Sequence, residues 1–203
     1  MGTGGGPRDG GGARRTRQMD IVAHALWAGA GIALARRRFN MPRRVALATV
    51  VCAVLPDVVH LVPLFIAFAI GQVDAGTLWA YSFARPGGEP AMPAWVGLAS
   101  HHLHCLLHSA VVAALVTVAV TARRGRRDWA WPLAGWWSHI VIDVFTHSAA
   151  YYPVPVFYPF SYAGLDAIAW NTPAFFAINY GALAIAYGLL WRTGRRSRRA
   201  APH

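Results

Sequence analysis

Long apolar blocks separated by short polar segments dominate the chain. Residues 45–70 contain one charged side chain, Asp57, and residues 90–122 and 171–191 contain none if histidine is neutral. Each block reaches the roughly 20 residues that an α-helix needs to cross the hydrocarbon of a bilayer. A soluble fold of this size has room to bury one such helix but hardly four or five. The pattern therefore predicts an all-α, polytopic membrane helix bundle.

The blocks predict about five membrane helices. Their expected positions are residues 20–36, 44–70, 93–122, 128–149 and 171–191. The first is the shortest, and we expect it to be tilted or partly re-entrant. The intervening segments 71–92 and 150–170 carry at most one basic residue each and are predicted to be extracytoplasmic loops.

Composition places the ends of the domain. Residues 1–18 are rich in Gly and Arg and lack apolar periodicity, which predicts a disordered tail. Residues 19–191 form the predicted membrane helical domain, and residues 192–203 a basic cytoplasmic tail. Because Met19 directly precedes the first apolar segment, translation starting at Met19 is the expectation, with Met1 as the alternative.

The charge distribution points to a membrane rather than to nucleic acid. Charged residues make up 13% of the chain, against about 25% in soluble domains. All 19 basic residues are Arg, and many lie in short runs at block ends, at residues 36–38, 43–44, 123–127 and 192–199. Such runs mark the cytoplasmic ends of membrane helices. We therefore expect the cytoplasmic (inner) membrane, membrane lipid as the surroundings, and no nucleic-acid partner.

Ionisable side chains recur inside the predicted helices, where they are costly and usually functional. Asp57 and His60 are three residues apart and share a face of the second helix, beside Pro56, which frees a backbone carbonyl. On the third helix the spacing of the histidines produces one stripe, formed by His101, His104 and His108.

The fourth helix carries a similar stripe, formed by His139, Asp143 and His147, and His24 lies near the start of the first helix. With the Arg-rich loops inside, these groups and those of the second and third helices all fall in the middle or outer part of the bundle. They are therefore expected to converge on one cavity that faces the extracytoplasmic side.

Imidazole and carboxylate together are the ligands of divalent metals in proteins. We predict Zn²⁺ first, with Mn²⁺ and Fe²⁺ as alternatives. The predicted ligands are Asp57, His60, His108, His139 and Asp143. His24 and His104 are predicted to be acid/base groups or second-tier ligands. An open metal position would lower the pKa of bound water and favour hydrolysis.

The motifs resemble those of the bacterial membrane-bound metal-dependent hydrolase family, an inner-membrane group related to zinc-dependent phospholipase C. The matching segments, in chain order, are Met19–His24, Leu55–His60, His108–Ser109, Gly135–Ser148, Tyr152–Pro159 and Leu165–Trp170. The resemblance implies hydrolysis as the reaction class, and the membrane setting leads us to expect a lipid-borne or envelope ester, phosphoesters included. Two other functions use the same residues differently. A transporter would pass ions through the His/Asp cavity, and a scaffold would need only the basic tail.

Overall fold

The computed structural model describes residues 21–82, 84, 87–122, 127–149 and 153–200. This part of the chain is all-helical, as predicted. Its helices are α1 (Ile21–Ala35), α2 (Arg43–Val59), α3 (Val62–Ala69), α4 (Ala75–Ser82), α5 (Ala94–Leu107), α6 (Ala110–Thr121), α7 (Ala130–Thr146) and α8 (Pro173–Ala200). A single 3₁₀ turn, Arg127–Trp129, precedes α7. The predicted tail of residues 1–18 lies outside the described residues.

Two of the helices predicted to be continuous are broken. Residues 44–70 form α2 and α3, bent by 60°, and residues 93–122 form α5 and α6, bent by 63°. Pro63 lies in the first turn of α3 and has no N–H to donate to the carbonyl four residues earlier, so α2 ends before it. At the second break Ser109 is extended, and its hydroxyl caps α6 by accepting the N–H of Val112 at 3.2 Å.

The five predicted membrane spans are not confirmed. Within the described residues, Pro173–Arg195 of α8 is the one unbroken helix long and apolar enough to cross a bilayer, and counting each bent pair as one span raises the number to three. α1 has 15 residues and is roughly 23 Å long, short of the roughly 30 Å of hydrocarbon. α8 also continues through the basic run from residue 192, so this part of the predicted tail is helical.

Among the described helices, α2 and α7 make the most extensive contact. At their crossing Gly135 of α7 lies against the backbone of α2, and a Cβ atom there would overlap the carbonyl oxygen of Thr49. One turn along α2, Ala53 is only 1% exposed. Small residues at the crossing bring the two backbones together, as they do between many membrane helices.

The segment that follows α7 folds back over the bundle. The Ser109 hydroxyl donates to the carbonyl of Tyr158 at 2.6 Å. The N–H groups of Ala167 and Trp170 donate to the carbonyls of His147 and Thr146 at 2.9 and 2.7 Å. These bonds satisfy carbonyls at the end of α7 that have no partner within the helix. The segment thereby covers the end of the bundle at which the His and Asp side chains lie.

Candidate metal centre

Two carboxylates and two imidazoles meet where α2, α7 and the α5–α6 break come together. They belong to Asp57, His108, His139 and Asp143, and one ligand atom of each lies within 4.8 Å of every other. Each of the four residues is at most 4% exposed. His139 and Asp143 share a face of α7 because they are four residues apart, whereas His108 enters at the end of α5.

The distances match those between ligands of a common ion. Nε2 of His108 and Nε2 of His139 each lie 3.2 Å from Oδ2 of Asp143 and 3.6 and 3.7 Å from Oδ1 of Asp57. The two Nε2 atoms are 3.0 Å apart. Bonds of about 2.0–2.2 Å separate neighbouring ligand atoms by roughly 3.3–3.6 Å in a tetrahedron and roughly 2.8–3.1 Å in an octahedron. The cluster therefore has the size of a divalent-metal coordination shell.

Backbone hydrogen bonds orient both imidazoles for this role. Nδ1 of His139 lies 2.9 Å from the carbonyl of Ala53, and Nδ1 of His108 lies 2.9 Å from the carbonyl of His104. A carbonyl only accepts, so each Nδ1 carries the proton, and in the neutral rings each Nε2 presents its lone pair to the cluster. Two lone pairs that lie 3.0 Å apart and face two carboxylates repel one another unless a cation or shared protons lie between them. Metal-binding histidines are usually held in this way.

His24 lies beside the four-residue group rather than within it. Its Nε2 is 2.9 Å from Oδ1 of Asp143 and 3.9 Å from Oδ2 of Asp57. The residue is 7% exposed, and its Nδ1 is buried with no hydrogen-bond partner among the described residues. Together with Asp57 and Asp143 it lines a cavity of about 60 Å³. The structure thus places His24 where the cluster meets open space.

The structure brings together four of the five predicted ligands and leaves His60 outside the group. Nδ1 of His60 donates to the carbonyl of Pro56 at 3.2 Å, and its ring lies 5.6 Å from that of His104. His104 in turn packs its ring against His108 at 4.0 Å. His60 and His104 therefore form a layer next to the cluster and do not line the cavity of about 60 Å³.

The histidines of the predicted stripe on the third helix do not all face the cluster. His101 stacks on Tyr162 and lies 3.7 Å from the sulfur of Cys105, so it faces the returning segment and not the cluster. His147 continues the stripe of α7, where its Nδ1 donates to the carbonyl of Asp143 at 3.0 Å and its side chain lines the cavity.

Two features of the site escaped the sequence analysis. The Ala53 carbonyl orients His139, and a backbone atom of an apolar residue leaves no trace in the sequence. Asn179 of α8 lines the cavity and accepts a hydrogen bond from Nε1 of Trp27 at 2.9 Å. An amide within the uncharged block 171–191 was the signal that could have pointed to Asn179.

These features define a helical membrane protein with a buried His/Asp group that can hold a metal ion. Residues 19–201 match the family described as YdjM inner membrane protein, and the chain belongs to that family. It is therefore an inner membrane protein. No curated protein and no solved structure matches it significantly. The family description gives a location and no reaction, so the resemblance to hydrolases rests on the motif residues.

Proposed function

We propose that the protein is a membrane-embedded, metal-dependent hydrolase of a lipid-borne or envelope ester, phosphoesters included. The observation that supports this most is the cluster itself, in which Asp57, His108, His139 and Asp143 are buried with both Nε2 lone pairs turned inward. Zn²⁺ is the first choice of ion, with Mn²⁺ and Fe²⁺ as alternatives, because all three take mixed nitrogen and oxygen ligands.

The side chains around the cluster have separate proposed roles in the reaction. When bound, the ion would supply Lewis acidity at the edge of the cavity. His24 is the proposed general acid/base: Asp143 accepts the Nε2 proton at 2.9 Å, so Nδ1, which has no hydrogen-bond partner among the described residues, takes a proton from an attacking water and returns it to the leaving group. His104, predicted as a second acid/base group, packs on the ring of His108 and is proposed to position it.

We further propose that the chain crosses the membrane several times, with the site towards the extracytoplasmic side. Arg37 donates to the carbonyl of Leu190 at 2.9 Å, and Arg44 lies 4.0 Å from Asp128, which places the Arg-flanked ends of α1, α2, α7 and the last turns of α8 together. Basic ends mark the cytoplasmic side. Asp57 lies 14 residues from Arg43 along α2, and His139 and Asp143 lie 12 and 16 residues from Arg127, roughly 20 Å. This depth is beyond the middle of a roughly 30 Å hydrocarbon layer.

Replacing His24 with alanine should separate catalysis from metal binding. Because His24 is outside the four-residue group, the variant should keep its metal, while hydrolysis should fall by roughly 10²- to 10⁴-fold with the loss of acid/base catalysis. The measurement is mass-spectrometric product analysis after metal-loaded protein is incubated with an inner-membrane lipid extract, with metal content determined on the same samples. His101→Gln, at an exposed histidine facing Tyr162, is the matched control and should retain the wild-type rate.

The same experiment distinguishes the rival functions. Loss of the reaction on chelation and its return with Zn²⁺ would support the hydrolase. Metal uptake into proteoliposomes without any lipid product would instead assign the His/Asp cavity to transport. If wild-type protein and the Asp143→Ala variant produced identical lipid profiles, the hydrolase proposal would be wrong.

A further inference from the structure

The cavity beside the cluster has a polar end and an apolar end. His24 and Asp143 form the polar end, and Ile142 of α7 and Phe175 of α8 contribute apolar walls. Its volume of about 60 Å³ is less than half of the roughly 150 Å³ of a protein cavity that holds benzene. The cavity therefore has room for the small reacting group of a substrate, and the rest of any larger substrate must lie outside it.

The segment that follows α7 forms part of the cavity wall at the end of that helix. Trp170, which is 7% exposed, lines the cavity there and is tied to the end of α7 through its N–H bond to Thr146. Ala167 makes a second such bond, to His147. A water-soluble substrate arriving along the bundle axis from this end would have to displace this segment.

On the side of the cavity between α7 and α8, the two helices make few contacts with each other. α8 packs chiefly on α1 and makes little direct contact with α7. Two side-chain hydrogen bonds hold α8 to α1, from Trp27 to Asn179 and from Tyr187 to the carbonyl of Leu26, both at 2.9 Å. Phe175 and Ile142 both line the cavity, and α7 and α8 lack there the extensive contact that joins α8 to α1.

The exposed surfaces of α7 and of the first turns of α8 are apolar. Val141 and Phe145 of α7 are 51% and 65% exposed, and Phe176 and Ile178 of α8 are 49% and 71% exposed. In a membrane protein such surfaces face acyl chains, which are as apolar as the side chains themselves. A hydrocarbon chain leaving the cavity between Ile142 and Phe175 would pass directly into the bilayer.

We infer that the gap between α7 and α8 is a lateral portal through which a long-chain amphiphile presents its ester group to the site from within the bilayer. The inference rests on the proposed function and adds the substrate class and its route. The ester group occupies the polar end at His24 and Asp143, and the first methylenes lie between Ile142 and Phe175.

The test uses full-length protein in nanodiscs, loaded with Co²⁺ so that binding at the metal changes its visible spectrum. The probes are acetohydroxamate and dodecanohydroxamate, which share a metal-binding head and differ in chain length. Ile142→Trp, which fills the portal, should weaken dodecanohydroxamate binding by roughly tenfold or more beyond its effect on acetohydroxamate, through lost apolar contact. Val141→Trp, at the neighbouring lipid-exposed position, is the matched control and should change neither affinity by more than about twofold.

The outcomes separate the two proposals. Equal dodecanohydroxamate affinities in Ile142→Trp and Val141→Trp, with Co²⁺ and acetohydroxamate bound normally, would overturn the portal and leave the hydrolase standing. Failure of wild-type protein to bind Co²⁺ would overturn both. If Ile142→Trp does not fold, Phe175→Trp against Phe176→Trp on α8 makes the same comparison, since Phe175 lines the cavity and Phe176 is 49% exposed.

Discussion

Replacing Asp143 with alanine should abolish stoichiometric metal binding. Oδ2 of Asp143 lies 3.2 Å from Nε2 of both His108 and His139, and Oδ1 lies 2.9 Å from Nε2 of His24, so this carboxylate contacts more of the site than any other group. Removing one partner from a buried charged group costs about 3–5 kcal/mol. At about 1.4 kcal/mol per tenfold, metal affinity should fall by roughly 10²- to 10⁴-fold.

The measurement is elemental analysis of detergent-purified protein, with helicity checked by circular dichroism. Asp143→Asn keeps the side-chain volume and should also lose the metal if the charge matters. Asp74→Asn is the matched control: Asp74 is exposed and caps α4 through Thr77, whose N–H and hydroxyl hold the pKa of the Asp74 carboxyl below its usual value. The Asp74→Asn substitution therefore removes one negative charge at neutral pH, as the Asp143 variants do. Full metal occupancy in Asp143→Ala would contradict the assignment.

Gly135→Ala should lower thermal stability and metal affinity together. The added methyl group would overlap the carbonyl of Thr49 and push α7 away from α2. Overpacking of this kind costs about 1–3 kcal/mol. Because His139 lies one turn further along α7 and donates to the Ala53 carbonyl of α2 across the same crossing, the shift also disturbs a proposed metal ligand.

The control for this prediction is Gly181→Ala on α8. A Cβ at Gly181 meets no atom within 4 Å, and alanine is the better helix former by about 0.5–1 kcal/mol, so this variant should be as stable as the wild type or slightly more stable. Thermal unfolding in detergent, followed by circular dichroism with and without added Zn²⁺, compares the two. Equal midpoints for Gly135→Ala and Gly181→Ala would show that α2 and α7 do not approach as closely as described.

The convergence of the cluster could be predicted because spacing along a helix fixes which side chains share a face. His139 and Asp143 are four residues apart, so any packing that buries one brings the other. Asp57 and His108 are far apart in the sequence. We could predict that they meet because both lie at similar distances from the Arg-rich ends of their predicted helices. These constraints do not depend on details of packing.

The helix breaks were outside the reach of hydropathy, because the residues on both sides are apolar. Pro63 and Ser109 were the local signals, one by its missing N–H and the other by its capping hydroxyl. The break also explains why His60 misses the four-residue group although it shares a predicted face with Asp57. His60 is the C-cap of α2, where its own Nδ1 donates to the Pro56 carbonyl and its ring turns towards His104.

The predicted number of spans was not confirmed, for a different reason. Composition sets whether a segment is compatible with lipid, whereas length and bending depend on where the helix ends. α1 and α7, with 15 and 17 residues, are apolar enough but shorter than the predicted segments 20–36 and 128–149. The tight contact at Gly135 likewise depends on two backbones meeting, which a single sequence does not disclose.

The most direct measurement is X-ray absorption at the edge of the metal in stoichiometrically loaded, purified protein. Coordination by Asp57, His108, His139 and Asp143 predicts a first shell of nitrogen and oxygen only, with the outer-shell scattering of two imidazoles, reduced to one in His139→Ala. A protein that retains no metal, or a first shell containing sulfur from Cys52 or Cys105, would contradict the account.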